Sequence, residues 1–318
     1  MKKVLFSLVF TGLLAACSLT GLNTTNVQKS ADTEPTPVAE ANTTPVIEQE
    51  TEAAVETPAT TEETPTDTVV VGTGDAVPET IEPAVDVDLV NGLTLHEEGR
   101  LRESRVLLTQ ALDNNLDDED EAKALKALRD INSKIFLSTN ENGDLKVYTV
   151  KSGDTLGKIA RAHGTTWEMI QRLNGMTTTR IDVGQKLNIL GGKFDLVVRK
   201  QKFVMDLLLD GAFIQRYEVG LGVDGCTPLG EFTVKNRIPK PADGAYPYGH
   251  AEHRLGSRWL GMHSDEGLKG YGIHGCRAEE EDLIPGECSK GCVRMKNTDI
   301  EEIYDIVPEG TRVVVQER

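Results

Sequence analysis

From Asp88 to Ser138 apolar residues recur at helical spacing. Leu101, Val106, Leu108 and Leu112 fall near one face, as do Leu125, Leu128, Ile131 and Ile135, which predicts a helical segment over 88–139. Asn140 to Asp144 is a turn-like break. The pattern then predicts a βααβ unit over 146–191. Val147–Val150 is a short strand, and Asp154 is placed to cap a helix with Leu156, Ile159 and Ala160 inward. Thr165 and Glu168 form a capping box for a second helix carrying Trp167, Ile170 and Leu173. Asn174-Gly175 ends that helix, and Lys186–Leu190 is a closing strand. Beyond it, over 192–316, the pattern alternates with period two and breaks at Asp210-Gly211, a hairpin signal. GEFTVKNRI and TRVVVQE also read as strands, and helical spacing is confined to a run near Asn297–Ile306, so this part is mainly β.

The 17–87 stretch, rich in Thr, Pro, Glu and Ala, has little periodicity. Such sequence buries too little apolar surface to offset chain entropy, which predicts a disordered tether. As a flexible coil it would span roughly 40–50 Å.

Before it, Met1-Lys2-Lys3 and the apolar run Val4–Ala16 form a charged and then a hydrophobic region. The run is too short to cross a bilayer, so 1–16 is expected to be a signal peptide. Leu14-Ala15-Ala16-Cys17 resembles a bacterial lipobox; that implies cleavage before Cys17 and lipidation of its thiol. Ser18 after the cysteine, by the same resemblance, implies the outer membrane over the inner one. The alternative is a secretory signal with a chance cysteine. The formal net charge is −17, and fifteen of the acids with a single lysine lie between Ser18 and Asp88. The folded part is therefore close to balanced, with no basic face for a nucleic acid.

The chemistry gathers near the end of the chain. His274-Gly275 precedes Cys292 by eighteen residues, and Cys292 lies in Ser289-Lys290-Gly291-Cys292-Val293-Arg294-Met295. A histidine that accepts the thiol proton leaves an imidazolium that lowers the thiol pKa, the basis of an activated nucleophile. Gly291 permits a sharp turn that presents the sulfur. Competing readings are a buried structural Cys292, His263 as the base, and a metal held by Cys276, Cys288, Cys292 and His274. His250 and His253, in a Tyr- and Gly-rich loop, are expected to face solvent or line a cleft. Cys226, Cys276 and Cys288 complete the cysteines; Cys276 and Cys288 could pair and staple the loop between the motif halves, or all three stay free.

Three resemblances bring these patterns together. Leu93-Thr94-Leu95-His96-Glu97-Glu98-Gly99-Arg100-Leu101 resembles the first half of a tetratricopeptide-type helix pair, though one such unit rarely stands alone; a small bundle packed on the next domain is expected, with peptide binding as the alternative. YTVKSGDTLGKIA, LNG and VGQKLNIL, from Tyr148 to Leu190, resemble a LysM domain. That implies peptidoglycan glycans as ligand, in a groove at Gly153, Asp154, Thr155, Asn174 and Gly175. TPLGEF, RWLGM, GIHG and SKGCVRM, in order, resemble the YkuD or L,D-transpeptidase family. The resemblance implies Cys292 as nucleophile, His274 as base and later acid, and the Gly275 carbonyl orienting the imidazole. N–H groups near Gly291 and Cys292 would form the oxyanion hole, and Arg294 would hold the loop or meet a substrate carboxylate.

Lys290, where many members have His, and Cys276, where Thr is common, depart from that pattern. No cofactor is implied. The expected reaction is acyl transfer from peptidoglycan stem tetrapeptides to an amine with loss of D-Ala, as part of wall biogenesis and cell shape. The rival readings are a hydrolase on the same scaffold and a non-catalytic LysM wall anchor. The expected place is the periplasm-facing envelope, with the membrane engaged through Cys17.

Overall fold

The computed structural model describes residues 86–141 and 143–318. The signal peptide, Cys17 and nearly all of the tether lie outside the described residues. Among the described residues no helix is long and apolar enough to cross a membrane.

Three helices come first: α1 (Val87–Glu97), α2 (Leu101–Ala111) and α3 (Asp118–Ile135). Asp86 and Asp117 cap α1 and α3 by accepting from the N–H groups of Leu89 and Asp120. The α3 face is as the spacing predicts, with Leu128, Ile131 and Ile135 buried. The α2 face is not: Val106 is 48% exposed. The buried position beside it is Arg105, which lies near Leu108 and Leu112 around the helix while Val106 points away. Its guanidinium forks the Asp144 carboxylate at 2.7 and 3.0 Å and reaches Asn132 Oδ1. An apolar count cannot anticipate a buried ion pair on the core face.

The next unit is β1 (Leu145–Thr149), α4 (Leu156–Ala162), α5 (Trp167–Leu173) and β2 (Lys186–Leu190), with β1 and β2 antiparallel. Its elements are those expected, but both caps fall one residue later. Thr155 caps α4 by accepting from Lys158 N, while Asp154 takes the Lys151 N–H and the Tyr148 hydroxyl at 2.7 and 2.9 Å. Thr166 caps α5 by accepting from Met169 N, and Glu168 pairs with Arg237 instead of closing a box with Thr165. Trp167, expected inward, is 40% exposed; Met169 is the buried residue.

The largest part is one ten-stranded sheet. In chain order its strands are β3 (Phe194–Arg199), β4 (Val204–Leu209), β5 (Ala212–Glu218), β6 (Gly220–Gly222), β7 (Gly230–Pro239) and β8 (Arg258–His263). β9 (Tyr271–His274), β10 (Gly286–Ser289), β11 (Val293–Arg294), α6 (Asn297–Ile306) and β12 (Arg312–Gln316) follow. The order across the sheet is β10-β6-β11-β9-β8-β7-β12-β3-β4-β5. The predicted hairpin joins β4 to β5, with Asp210 and Gly211 both at positive φ, as a two-residue turn of the right twist requires. The fold is thus a mainly-β domain preceded by a βααβ unit and a helical segment.

These parts share cores. Met169 of α5 and Leu190 of β2 belong to the cluster built on Leu196, Leu207, Val293 and Ile303, while Phe213 of β5 belongs to the helical cluster with Leu108, Leu128 and Ile131. Asn132 donates to the carbonyls of Phe213 and Ile214, and Glu121 accepts from Lys202 and Arg216. The helices therefore close the β5 edge, whose free backbone groups would otherwise invite pairing with another chain.

Candidate active site

The parallel pairing of β9 with β11 assembles the two motif halves. Val293 lies opposite Ile273 and Arg294 opposite His274, and Met295 N donates to the His274 carbonyl at 2.9 Å. Cys292, one residue before β11, is therefore level with Gly272, and His274 is two residues further along the same face of β9. The thiol donates toward the Gly270 carbonyl at 3.9 Å and accepts from the Gly272 N–H, so its present hydrogen bonds go to β9 backbone and not to the imidazole.

His274 is 3% exposed. Its Nδ1 lies 2.5 Å from the Gly275 carbonyl, and because a carbonyl only accepts, Nδ1 carries the proton and Nε2 is the open lone pair. Burial pushes its pKa down to about 4; the Gly275 carbonyl opposes this, and the positive charge of Arg294 adds to it. Burial likewise raises the Cys292 thiol, against the Gly272 N–H and Arg294. Both shifts favour uncharged partners. Burial thus works against charge on either group, while the Gly272 N–H and Arg294 favour the thiolate expected from the sequence.

The turn that presents the thiol needs glycine. Gly291 has φ +122°, and a Cβ there would lie 2.9 Å from Tyr271 Cε1 and 3.1 Å from the Cys226 carbonyl oxygen. Ser289, buried, stitches the turn: its hydroxyl donates to the Cys292 carbonyl at 2.6 Å and accepts the Gly291 N–H at 3.1 Å. The Gly291 N–H is therefore engaged, and could serve an oxyanion only by leaving Ser289. Arg294 donates to Glu280 at 3.2 Å, and Glu280 also pairs with Arg277. This favours the loop-holding alternative over a substrate carboxylate, although the Arg294 Nε is buried without a partner.

Other candidates stand apart. His263 and Lys290 are exposed, and His253, expected to face solvent or line a cleft, is buried and hydrogen-bonded to the Pro241 carbonyl at 2.8 Å. Cys226, Cys276, Cys288 and Cys292 are all free thiols, so the structure holds no Cys276–Cys288 staple; burial first, then Glu281 and Glu280, pushes Cys276 up to about 12. Among the described residues no group of three or more His, Cys, Asp or Glu is placed to hold a metal.

Asn297, the first residue of α6, is a site residue the sequence reading missed. Its Oδ1 accepts from Ser257 N at 2.9 Å, and its Nδ2 donates to the Cys276 carbonyl at 2.7 Å. It lies 2.3 Å from where a Gly275 Cβ would be, so the His-Gly turn closes onto it only with glycine at 275. Nothing in its position at a helix start announces that contact.

The chain matches the model of the YkuD L,D-transpeptidase catalytic domain over residues 193–315 and that of the LysM domain over 148–190. It is 30% identical over 177 residues to a candidate L,D-transpeptidase named YkuD from Bacillus licheniformis, covering 53% of this chain and 98% of that one. The chain belongs to the YkuD L,D-transpeptidase family. It is also 35% identical over 133 residues to a second candidate L,D-transpeptidase, YqjB of Bacillus subtilis, covering 40% of this chain and 74% of the other. A solved L,D-transpeptidase from Mycobacterium smegmatis aligns at 16% identity with a TM-score of 0.33, covering 54% of this chain and 82% of that one. So low a score adds nothing to the family assignment, which rests on sequence.

In the LysM part the residues expected at the glycan groove lie on two loops tied to neighbouring rungs of the β1–β2 ladder. Asp154 is held by Tyr148, and Asn174 exchanges hydrogen bonds with Asn188 at 2.8 Å. The Asn174 amide also donates to Ile170 O, so both of its N–H donors are used within the unit. Gly153, Thr155 and Gly175 are exposed.

Proposed function

We propose that the protein is a peptidoglycan L,D-transpeptidase. The observation that supports this best is the fixed tautomer of His274: the Gly275 carbonyl holds the proton on Nδ1 and leaves Nε2 free on the strand beside Cys292. In this reading the Cys292 sulfur attacks the carbonyl before the terminal D-Ala of a stem tetrapeptide while His274 Nε2 takes the thiol proton. The tetrahedral oxyanion is met by backbone N–H groups at Cys292 and, once Ser289 yields it, Gly291. D-Ala leaves with the proton from His274, and an acceptor amine resolves the thioester.

The LysM part is read as holding the glycan through Gly153, Asp154, Thr155, Asn174 and Gly175, with Asp154 and Asn174 shaping the loops. Presenting both parts on one chain raises the effective concentration of stem peptides at Cys292. Lipidation at Cys17 and placement in the bacterial envelope, at the outer membrane, complete the proposal.

The test is mass spectrometry of muropeptides after the full chain and Cys292→Ala are incubated with disaccharide-tetrapeptide. Crosslinked dimers lacking one D-Ala, absent with Cys292→Ala, are expected. Tripeptide alone would favour the hydrolase, and unchanged substrate the wall anchor.

A further inference from the structure

Trp259 is the residue of the Arg258–Met262 segment to which no role has attached. It stands on β8 directly opposite His274 in the antiparallel ladder. Its indole lies against the imidazole, with ring centroids 5.6 Å apart and planes inclined by 22°. That is an offset stack of the kind aromatic pairs favour.

The slot that holds the indole is made by missing side chains. A Cβ on Gly272 would lie 2.6 Å from Trp259 Cζ2 and Cη2, and one on Gly261 would lie 2.9 Å from Nε1. Two glycines on adjacent strands thus leave room for one ring, and that ring is set on the base. Trp259 is half-buried whereas His274 is buried, so the indole covers a ring face that a smaller residue would leave to water. The charged groups facing His274 come from three other elements: Arg294 on β11, Asp243 in the β7–β8 connection and Glu280 in the turn after β9. Arg294 disfavours the imidazolium and the two acids favour it, but burial outweighs all three.

We propose that Trp259 is a positioning residue for His274: its indole fixes the plane of the imidazole and keeps water from the base. The proposal rests on His274 acting as the base. Stacking fixes ring rotation about the axis that the Gly275 hydrogen bond leaves soft, so Nε2 stays directed toward the thiol side of β9. Exclusion of water keeps the base uncharged in mildly acidic conditions.

The test compares Trp259→Leu and Trp259→Phe with wild type in the full chain. The His274 ring is titrated by NMR, and the pH dependence of Cys292 alkylation by iodoacetamide and of D-Ala release is measured. In Trp259→Leu, water reaches the ring, and the His274 midpoint should rise from about 4 toward 6.5. The acid limb of kcat/KM should rise with it by about one unit or more, since that limb reports the base. The kcat should fall about tenfold with KM within about twofold, the signature of lost orientation. Trp259→Phe, which keeps a stacked ring, should recover most of both changes. If the His274 midpoint and the acid limb in Trp259→Leu match wild type, or if the Phe and Leu variants behave alike, the proposal is wrong. NMR and alkylation do not depend on which acyl transfer the protein performs. A shifted titration in a protein that releases no D-Ala would therefore overturn the transpeptidase reading and support this one.

Discussion

At the scale of single residues, the site is governed by where side chains are absent. Gly291→Ala places a Cβ 2.9 Å from the Tyr271 ring on a backbone at φ +122°. Strain of that kind costs about 1–3 kcal/mol. The expected outcome is a folded protein whose D-Ala release is reduced about tenfold or more, read in the same assay as Cys292→Ala. His274 carries a pH signature of its own. Its folded pKa, about 4, lies below its ordinary 6.5, so the folded state binds fewer protons than the unfolded state between those values. The resulting stability is full above about pH 6.5, declines as pH falls, and is gone by about pH 4, a swing on the order of 3 kcal/mol. Asp299, Glu302 and Asp305, whose pKa values burial raises, act in the opposite sense over the acid range. His274→Gln should flatten the fall in chemical-denaturation midpoint between pH 6.5 and 4; an unchanged slope would show that His274 does not carry it.

At the scale of elements, the helical segment behaves as part of the sheet's edge. Glu121 joins α3 to Arg216 and Lys202, and Arg216 continues through buried Asp206 to Arg199, which reaches Asp113 after α2. Arg216 and Asp206 are both buried enough that removing one partner leaves a charge without compensation, at about 3–5 kcal/mol. Glu121→Ala leaves Arg216 its two hydrogen bonds to Asp206, so it is expected to lower stability by less, about 1–3 kcal/mol, in urea denaturation. Deleting the helices up to residue 139 should uncover β5 and produce a concentration-dependent association seen by light scattering. The helical stretches, the β1–β2 unit and the strands of β3–β5, β7 and β12 were legible from apolar spacing, and the Asp210-Gly211 hairpin from its turn residues; the breaks between α1, α2 and α3 and the strands β6 and β8–β11 were not. The caps at Thr155 and Thr166 were not, because adjacent polar residues compete for the same N–H groups and only the loop path chooses between them. Arg105 was illegible for a similar reason: a charge on a core face is stable only when Asp144 arrives from elsewhere in the chain.

At the scale of the whole molecule, the βααβ unit and the sheet are fastened together. Met169 enters the sheet's own core, Arg172 pairs with Asp305 at 3.1 Å, Glu168 with Arg237 at 3.2 Å, and the Thr166 hydroxyl donates to the Asp305 carbonyl. Residues 86–318 should therefore unfold in one calorimetric transition, and Met169→Ala should shift the entire transition by about 2–5 kcal/mol of stability. Two separated transitions, with only the smaller moved by Met169→Ala, would mean that the units are independent. A fixed placement also sets a constant reach between the LysM loops and Cys292, which a flexible join would not.

The sequence by itself determined what depends on local order. Periodicity set the helical stretches and the longer strands, turn residues set the hairpin, and the spaced motifs that resemble the YkuD and LysM families led to the family that comparison then showed. It also singled out His274, Cys292 and Gly291 by residue type and spacing, and Gly275 through the family resemblance, and the β9–β11 pairing brings these positions side by side. Tertiary structure alone decided the burial that disfavours charge on His274 and Cys292, since burial acts through the whole surrounding volume and no local pattern encodes it. It decided too that Ser289, Asn297 and Trp259 belong to the site. Their roles arise from strands and loops far apart in sequence meeting at distances that only the closed sheet fixes.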